Sequence, residues 1–345
     1  MDAVEAIGLD HDKTDWTLPT DAHASDLRPA ADPLLRILST GRVGDIIRQF
    51  HHHDGEASRH QRRFKRLGMR VISATIVAVL CGGLFLFIRA IGQGPSSDLL
   101  AWAALVVQGA AVAAVAVFTF QLKESTAYED WMLDRAAAEA ERINLFKVIC
   151  YRPPADLAAI GAIDPAGEGG AQGPSLLALQ FEYFRRFQLD VQIRYYIERA
   201  QEHRRAAGRY NHMGLILILI TGLIALTERL SFSADSLPLS EAAAAALLAL
   251  AGLTLPVIYQ GQDMLKLING NRRNALRYRV AGQNLISLSH SVEEIRDRIA
   301  VHDEGARPVV QGFIDRVHDQ IMTEHRQWQF LPKPSSPSDF LEVDT

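Results

Sequence analysis

Cysteine is nearly absent from this chain. Of its 345 residues two are cysteines, Cys81 inside an apolar run and Cys150 in a charged segment, so no disulfide framework is open to it. The N-terminal stretch MDAVEAIGLDHDKTDW is acidic and lacks the apolar core of a signal peptide. The first apolar segment is therefore expected to be a retained span. Gly-rich phosphate loops, a nucleophile elbow, HExxH and paired carboxylates are all missing, which excludes the common enzyme signatures. No catalytic or cofactor-binding residue is expected. Net charge is only −4 and the acidic excess is scattered, so nucleic acid is not an expected partner. His51, His52, His53, Asp54 and His60 are the one metal-like cluster, but adjacent ligands lack the spacing of a structural zinc site, and no metal is assigned to them.

What the sequence does have is segregation. Mean hydropathy is +0.01, an average that hides charge-free runs set between strongly charged ones. Val71 to Ile88 reads VISATIVAVLCGGLFLFI, and about 18 to 20 apolar residues suffice to cross hydrocarbon as a helix. Leu99 to Leu122 follows, with Gln108 as the strongly polar residue of its interior. A third run centres on Met213 to Thr227 and extends at its ends to about 210–228; a fourth, alanine-rich, covers 242–259 and carries Pro256, which is expected to kink its last turn. The fold class expected is an all-α membrane protein with four transmembrane helices in two hairpins and long cytoplasmic helical extensions. The competing reading is a pair of buried hairpins in a soluble protein.

Basic residues set the expected orientation, since short loops rich in Lys and Arg stay in the cytoplasm. Arg62, Arg63, Lys65, Arg66 and Arg70 precede the first run, while Gly92 to Asp98 has none. Arg194, Arg199, Arg204, Arg205 and Arg209 precede the third, Ser231 to Glu241 again has none, and Arg272, Arg273, Arg277 and Arg279 follow the fourth. Arg89 and Arg229 run against the pattern, one at the outer end of each hairpin's first span. Both termini and the middle segment are thus expected in the cytoplasm of a multi-pass inner-membrane protein.

Along the chain, 1–58 is expected to be a polar N-terminal segment, poorly ordered over about its first 30 residues, in which Pro33 to Phe50 forms one or two short amphipathic helices. A first hairpin with its cytoplasmic helix occupies 59–152, a Gly/Pro linker 153–176, a second hairpin with its cytoplasmic helices 177–330, and a polar tail 331–345. Lys123 to Cys150 has no Gly or Pro and is expected to prolong the second span unbroken. Beyond the fourth span two helices are expected, about Gln262 to His302 and Pro308 to Trp328. The halves share one layout, with RRFKRLGMRVISATIVAVL answering to HRRAAGRYNHMGLILILI, which is the pattern of an internal duplication or of shared membrane constraints.

Two helix faces stand out. Tyr128, Trp131, Arg135, Glu139, Arg142 and Phe146 recur every three or four residues, placing aromatics and alternating charges on one face suited to a packed interface. Phe313, Val317, Ile321, Glu324 and Trp328 form a second stripe. In the spans Gln108 is expected to face other helices or a water-filled path, and the small pairs Gly109 and Ala113, Ala245 and Ala249 permit close contact within one subunit or across an oligomer seam.

These residues resemble the SLATT domains, membrane modules found near bacterial nucleotide-generating and nucleotide-sensing conflict genes. The resemblance rests on W-x3-R-x2-AE at Trp131, Arg135, Ala138 and Glu139 followed by Tyr151 and the prolines 153 and 154. It continues through YYIERAQEHRRAAGRYN from Tyr195 to Asn211, which includes Arg199, and ends on E-x3-W at Glu324 and Trp328. It spans about 60 to 330, with Arg142 and Phe146 where the family carries a lysine and a second tryptophan. It implies an antiphage effector that oligomerises and perturbs the membrane of an infected cell, with the lipid bilayer, further copies of itself and a cytosolic nucleotide-signal or sensor protein as partners. A constitutive channel or small-solute transporter, and a passive scaffold anchoring a cytosolic enzyme, are the readings set against it.

Overall fold

A serine, with neither glycine nor proline beside it, breaks the helical path that follows the second apolar run. In the computed structural model, which describes residues 2–7, 17–18, 23–25, 27–91, 94–151, 174–208, 219, 271–301 and 305–329, all described regular structure is helical. Short α1 (Ala3–Ile7) and α2 (Asp32–Leu38) precede α3 (Gly41–Ile91), a helix of 51 residues. A turn leads to α4 (Pro95–Glu124), and α5 (Ala127–Cys150) follows it. The expected unbroken helix from the second span to Cys150 is therefore corrected. Ser125 takes an extended ψ of 128° and its hydroxyl accepts the Ala127 N–H at 3.2 Å, so its side chain competes with the helical ladder and starts a new helix.

Helix α6 opens on Ser175, whose hydroxyl caps Ala178 N–H at 3.2 Å, and runs Leu176–Phe184 before widening into a π-helical stretch, Arg185–Asp190, and resuming over 191–208. Then come α7 (Asn271–Ser289), α8 (Val292–Ala300) and α9 (Ala306–Gln329). The single helix expected up to His302 is thus two, separated by the turn at His290 and Ser291. The third and fourth spans, with Ala245, Ala249 and Pro256, lie outside the described residues, as do nearly all of the linker and the whole tail; the duplication rests on the same segment.

The chain divides into two units. The first comprises 1–59, 129–201 and 275–331, and α6 is its central helix. Leu179 through Phe184, then Arg186 through Leu189, are buried on every side, the polar Gln180, Glu182, Arg186 and Gln188 along with the apolar residues. Around it one contiguous core collects Ile37, Ile46 and Phe50, Leu145 and Ile149, Leu285, Ile295, and Phe313, Val317 and Ile321. The stripe read on α9 is therefore its buried face. The N-terminal residues join this core as well: Ala6, Ile7 and Leu18 are fully buried, so the expectation of an unordered start is corrected at these positions. Glutamine closes the end of α5, where the Gln180 amide donates to the Ile149 carbonyl at 2.8 Å, an acceptor the helix cannot satisfy itself. Burial beside it pushes the Cys150 thiol well above its usual range.

The second unit comprises 60–128, 202–274 and 332–345, and its described part is the α3–α4 hairpin. Both helices are long and apolar enough to cross a membrane, and only 22% and 11% of the residues in their most apolar windows are buried. Leu84, Leu86, Leu99, Trp102, Val106 and Phe120 point outward. Ala101, Ala104 and Ala111 on α4 and Ala78 on α3 are buried, small residues of the kind that let two backbones approach closely. At the turn Gly94 adopts φ +119°, which glycine tolerates without strain, and Pro95 fits the first helical turn. Arg89, one of the two exceptions to the basic-residue pattern, donates to Asp98 across this turn at 2.7 Å, so its charge is matched locally.

Gln108 belongs to the seam. A Cβ placed at Gly82 would come 2.5 Å from Gln108 Nε2, so the amide packs directly on the glycine of the opposing helix. Gly109 and Ala113 instead lie on the exposed side of α4 and take no part in the hairpin contact. Gly82→Val is expected to force Gln108 out of the seam and destabilise the hairpin by about 1 to 3 kcal/mol, the usual cost of overpacking. Adding Gln108→Ala should restore most of it, read as the thermal midpoint of the purified chain in detergent; a double variant no better than the single one would refute the contact.

Candidate functional site

Alternating charges on α5 acquire their meaning from where the helix is buried. Its face passes from half-buried Trp131 and Arg135 to fully buried Glu139, Arg142 and Phe146. Tyr128 falls within the second unit, 5.3 Å from the Phe64 ring. Glu139 sits between two arginines, with Arg135 Nη2 at 2.8 Å and Arg142 Nε at 3.2 Å. Arg135 reaches across to α3 and donates to Asp54 at 2.9 Å, while His53 lies 3.4 Å from Asp134. Two of the five residues read as a metal-like cluster, His53 and Asp54, thus tie α3 to α5. Among the described residues no three His, Cys, Asp or Glu side chains are placed to hold one ion.

Arg142 is 1% exposed and lies 5.0 Å from the Phe50 ring centroid, a cation held against an aromatic face. Burial lowers its pKa from the ordinary guanidinium value, against the opposing pull of Glu139. Burial acts the same way on Arg135, but Glu139 and Asp54 outweigh it and the net shift is upward. One carboxylate therefore serves two guanidiniums, and the outer one also pairs with Asp54.

A tyrosine cluster adjoins this network. Tyr196 and Tyr278 stack with centroids 5.9 Å apart, Tyr195 meets Tyr278 edge-on at 6.1 Å, and Arg199 lies 5.4 Å over the Tyr195 ring. The Tyr196 hydroxyl donates to Glu324 at 3.4 Å, a long bond between two buried groups. Burial, reinforced by Glu324, raises the Tyr196 pKa well above the phenol range; burial and Tyr195 do the same for Tyr278. Both phenols remain neutral donors. Tyr195 and Tyr278 lie within electrostatic reach of Arg135, so the two groups form one constellation. The side chain of Trp328 lies outside the described set.

Neither family models nor curated proteins nor solved structures give a match to this chain. Function has to be argued from this geometry.

Sequence reasoning singled out Arg135, Glu139, Arg142, Phe146, Tyr195, Arg199 and Glu324 on separate helices, and assigned no packing role to Asp54, Tyr196 or Tyr278, which the structure adds to them. It missed a second knot entirely. Glu182, on α6, accepts from Arg296 of α8 through both carboxylate oxygens, at 2.6 and 2.9 Å, and from Arg185 at 2.6 Å. Its side chain is 3% exposed. The FEYFRRFQLD run carrying it showed no separable face, because this helix is enclosed all round. The site holds charge and shape, and among the described residues no group of three or more His, Cys, Asp or Glu could hold a metal ion.

Proposed function

We propose that this chain is a multimeric, multi-pass effector of the bacterial inner membrane, with four spans and both termini in the cytoplasm. A cytoplasmic signal, received by its helical unit, makes it perturb or permeabilise the bilayer as part of antiphage defence. The observation that carries the membrane half of this reading is the outward-facing apolar surface of α3 and α4, which water would not tolerate over such lengths. Support for the signalling half comes from the constellation. Asp54, the Arg135–Glu139–Arg142 network, the two tyrosines on α6 and Tyr278 on α7 sit on helical segments that lead in sequence toward or away from each of the four apolar runs. A change in their packing would reach all four together. The resemblance to SLATT domains supplies the defence context, a nucleotide-signal or sensor protein as partner, and self-association.

Cells carrying the intact gene are expected to grow normally until phage infection, then to lose membrane potential before lysis, read with a voltage-sensitive dye. Protection from phage with the potential intact would overturn the proposal. Steady ion flux through the purified chain in liposomes without any trigger would favour the constitutive channel instead. Reporters fused within 92–98 and 231–241 are expected to face outward.

A further inference from the structure

An open groove runs along the α3–α4 hairpin, about 590 Å³ in volume, and its lining divides sharply by chemistry. Most of it is apolar: Ala74, Ala110 and Ala114 line it with small side chains, and Val77 and Val107 flank them. At one end stand Arg66 and Arg70, one helical turn apart and both exposed, immediately before the charge-free run that begins at Val71. Neither arginine has a carboxylate partner among the described residues. Arg66 Nε donates to the Arg62 carbonyl at 3.2 Å, and the Arg70 guanidinium lies 5.8 Å over the Phe118 ring, which itself lines the groove. Two oriented cations thus cap an apolar trough.

The geometry points to an anionic phospholipid as the occupant, its phosphate between Arg66 and Arg70 and one acyl chain along the alanines toward Val77 and Val107. This rests on the membrane reading, which puts residues just before Val71 at headgroup depth, where basic pockets between helices take acidic headgroups. Charge selects among lipids: two unneutralised arginines favour a net negative headgroup, whereas a zwitterionic one brings its own cation to the same place. A second copy docking the same groove in a two-fold arrangement would set arginine against arginine. Small side chains suit an acyl chain because a methylene ribbon gains contact only where it can approach backbone closely.

The test uses the full chain. Carbonate extraction comes first, since release from membranes would fail the membrane reading itself. The detergent-purified chain is then titrated with phosphatidylglycerol or phosphatidylcholine and bound lipid is counted by native mass spectrometry. Phosphatidylglycerol is expected to bind in preference, and R66Q/R70Q to weaken it by roughly thirtyfold, the factor for losing two interfacial arginines. Arg62→Gln with Arg63→Gln, which leaves the groove intact, is expected to keep it. Equal loss in both double variants would reduce the effect to general surface attraction and overturn the proposal. Displacement by inorganic phosphate as effective as by lipid would overturn it too, because the acyl trough would then contribute nothing. A photo-crosslinking residue in place of Val107 is expected to yield a lipid adduct; crosslinks to protein would show that another span or copy fills the groove.

Discussion

Glu139→Leu should destabilise the helical core by about 3 to 5 kcal/mol, the range seen when one member of a buried ion pair is removed. Glu139 is 8% exposed at its side chain and holds Arg142 Nε at 3.2 Å, so the substitution strips that carboxylate from a guanidinium that is itself 1% exposed. Arg135 suffers less. It keeps Asp54 at 2.9 Å and is 26% exposed, so water and a second carboxylate share its charge. Converting the pair together, Glu139→Leu with Arg142→Met, should recover most of the loss, because desolvation of the cation disappears along with its partner. The measurement is denaturant unfolding of the purified chain, with equal stability of single and double variants refuting the coupling. On the proposed function the double variant is the more informative one. It should fold yet respond abnormally to infection, if the ion network is what ties α3 to α5 when a signal arrives.

How far this arrangement could be read in advance depended on whether a feature is local. The two long apolar helices were legible because membrane-length runs without charge are set by a few dozen consecutive residues, and α3 and α4 contain the runs at 71–88 and 99–122. The face from Arg135 to Phe146 was legible from its spacing. Its partners were not: Asp54 lies 81 residues from Arg135, and no periodicity connects them. The break at Ser125 escaped a search for glycine and proline because a hydroxyl bonding its own backbone can end a helix too. Burial of Ala6 and Ile7 escaped because a few small apolar residues in an acidic stretch carry little pattern. The exposure of Gly109 and Ala113 against the packing of Gln108 on Gly82 turns on the rotation of α4 about its axis, which a run apolar on nearly every side does not specify.

Acidification between pH 6.5 and 5 should weaken the helical core, and His318 is expected to be a principal cause. Its ring is buried on α9 beside Phe184, centroids 5.3 Å apart, and neither nitrogen has a hydrogen-bond partner among the described residues. Burial, with Lys147 adding to it and Asp315 opposing, lowers its pKa to about 4. His23 is shifted the same way, to about 3, by burial and by the nearby Arg186 and Arg142; its Nδ1 lies 3.0 Å from the Tyr183 hydroxyl and its ring stacks on Phe187 at 3.9 Å. The sign follows from proton counting. Well above pH 6.5, by about one unit or more, both rings are neutral folded and unfolded, so they give stability no pH response. Below it the unfolded chain takes up protons that the folded core refuses, and each histidine removes up to about 1.4 kcal/mol per pH unit until its folded pKa is reached. Carboxylates add their own effect mainly below that window, so the slope from 6.5 to 5 isolates the histidines. His318→Phe fills the same space without a titratable or unsatisfied nitrogen. It should raise stability by about 1 to 3 kcal/mol at neutral pH and halve the acid slope, measured as unfolding midpoints across that window. An unchanged slope in the variant would show that His318 is solvated, and a steeper one that it is charged and paired in the folded chain.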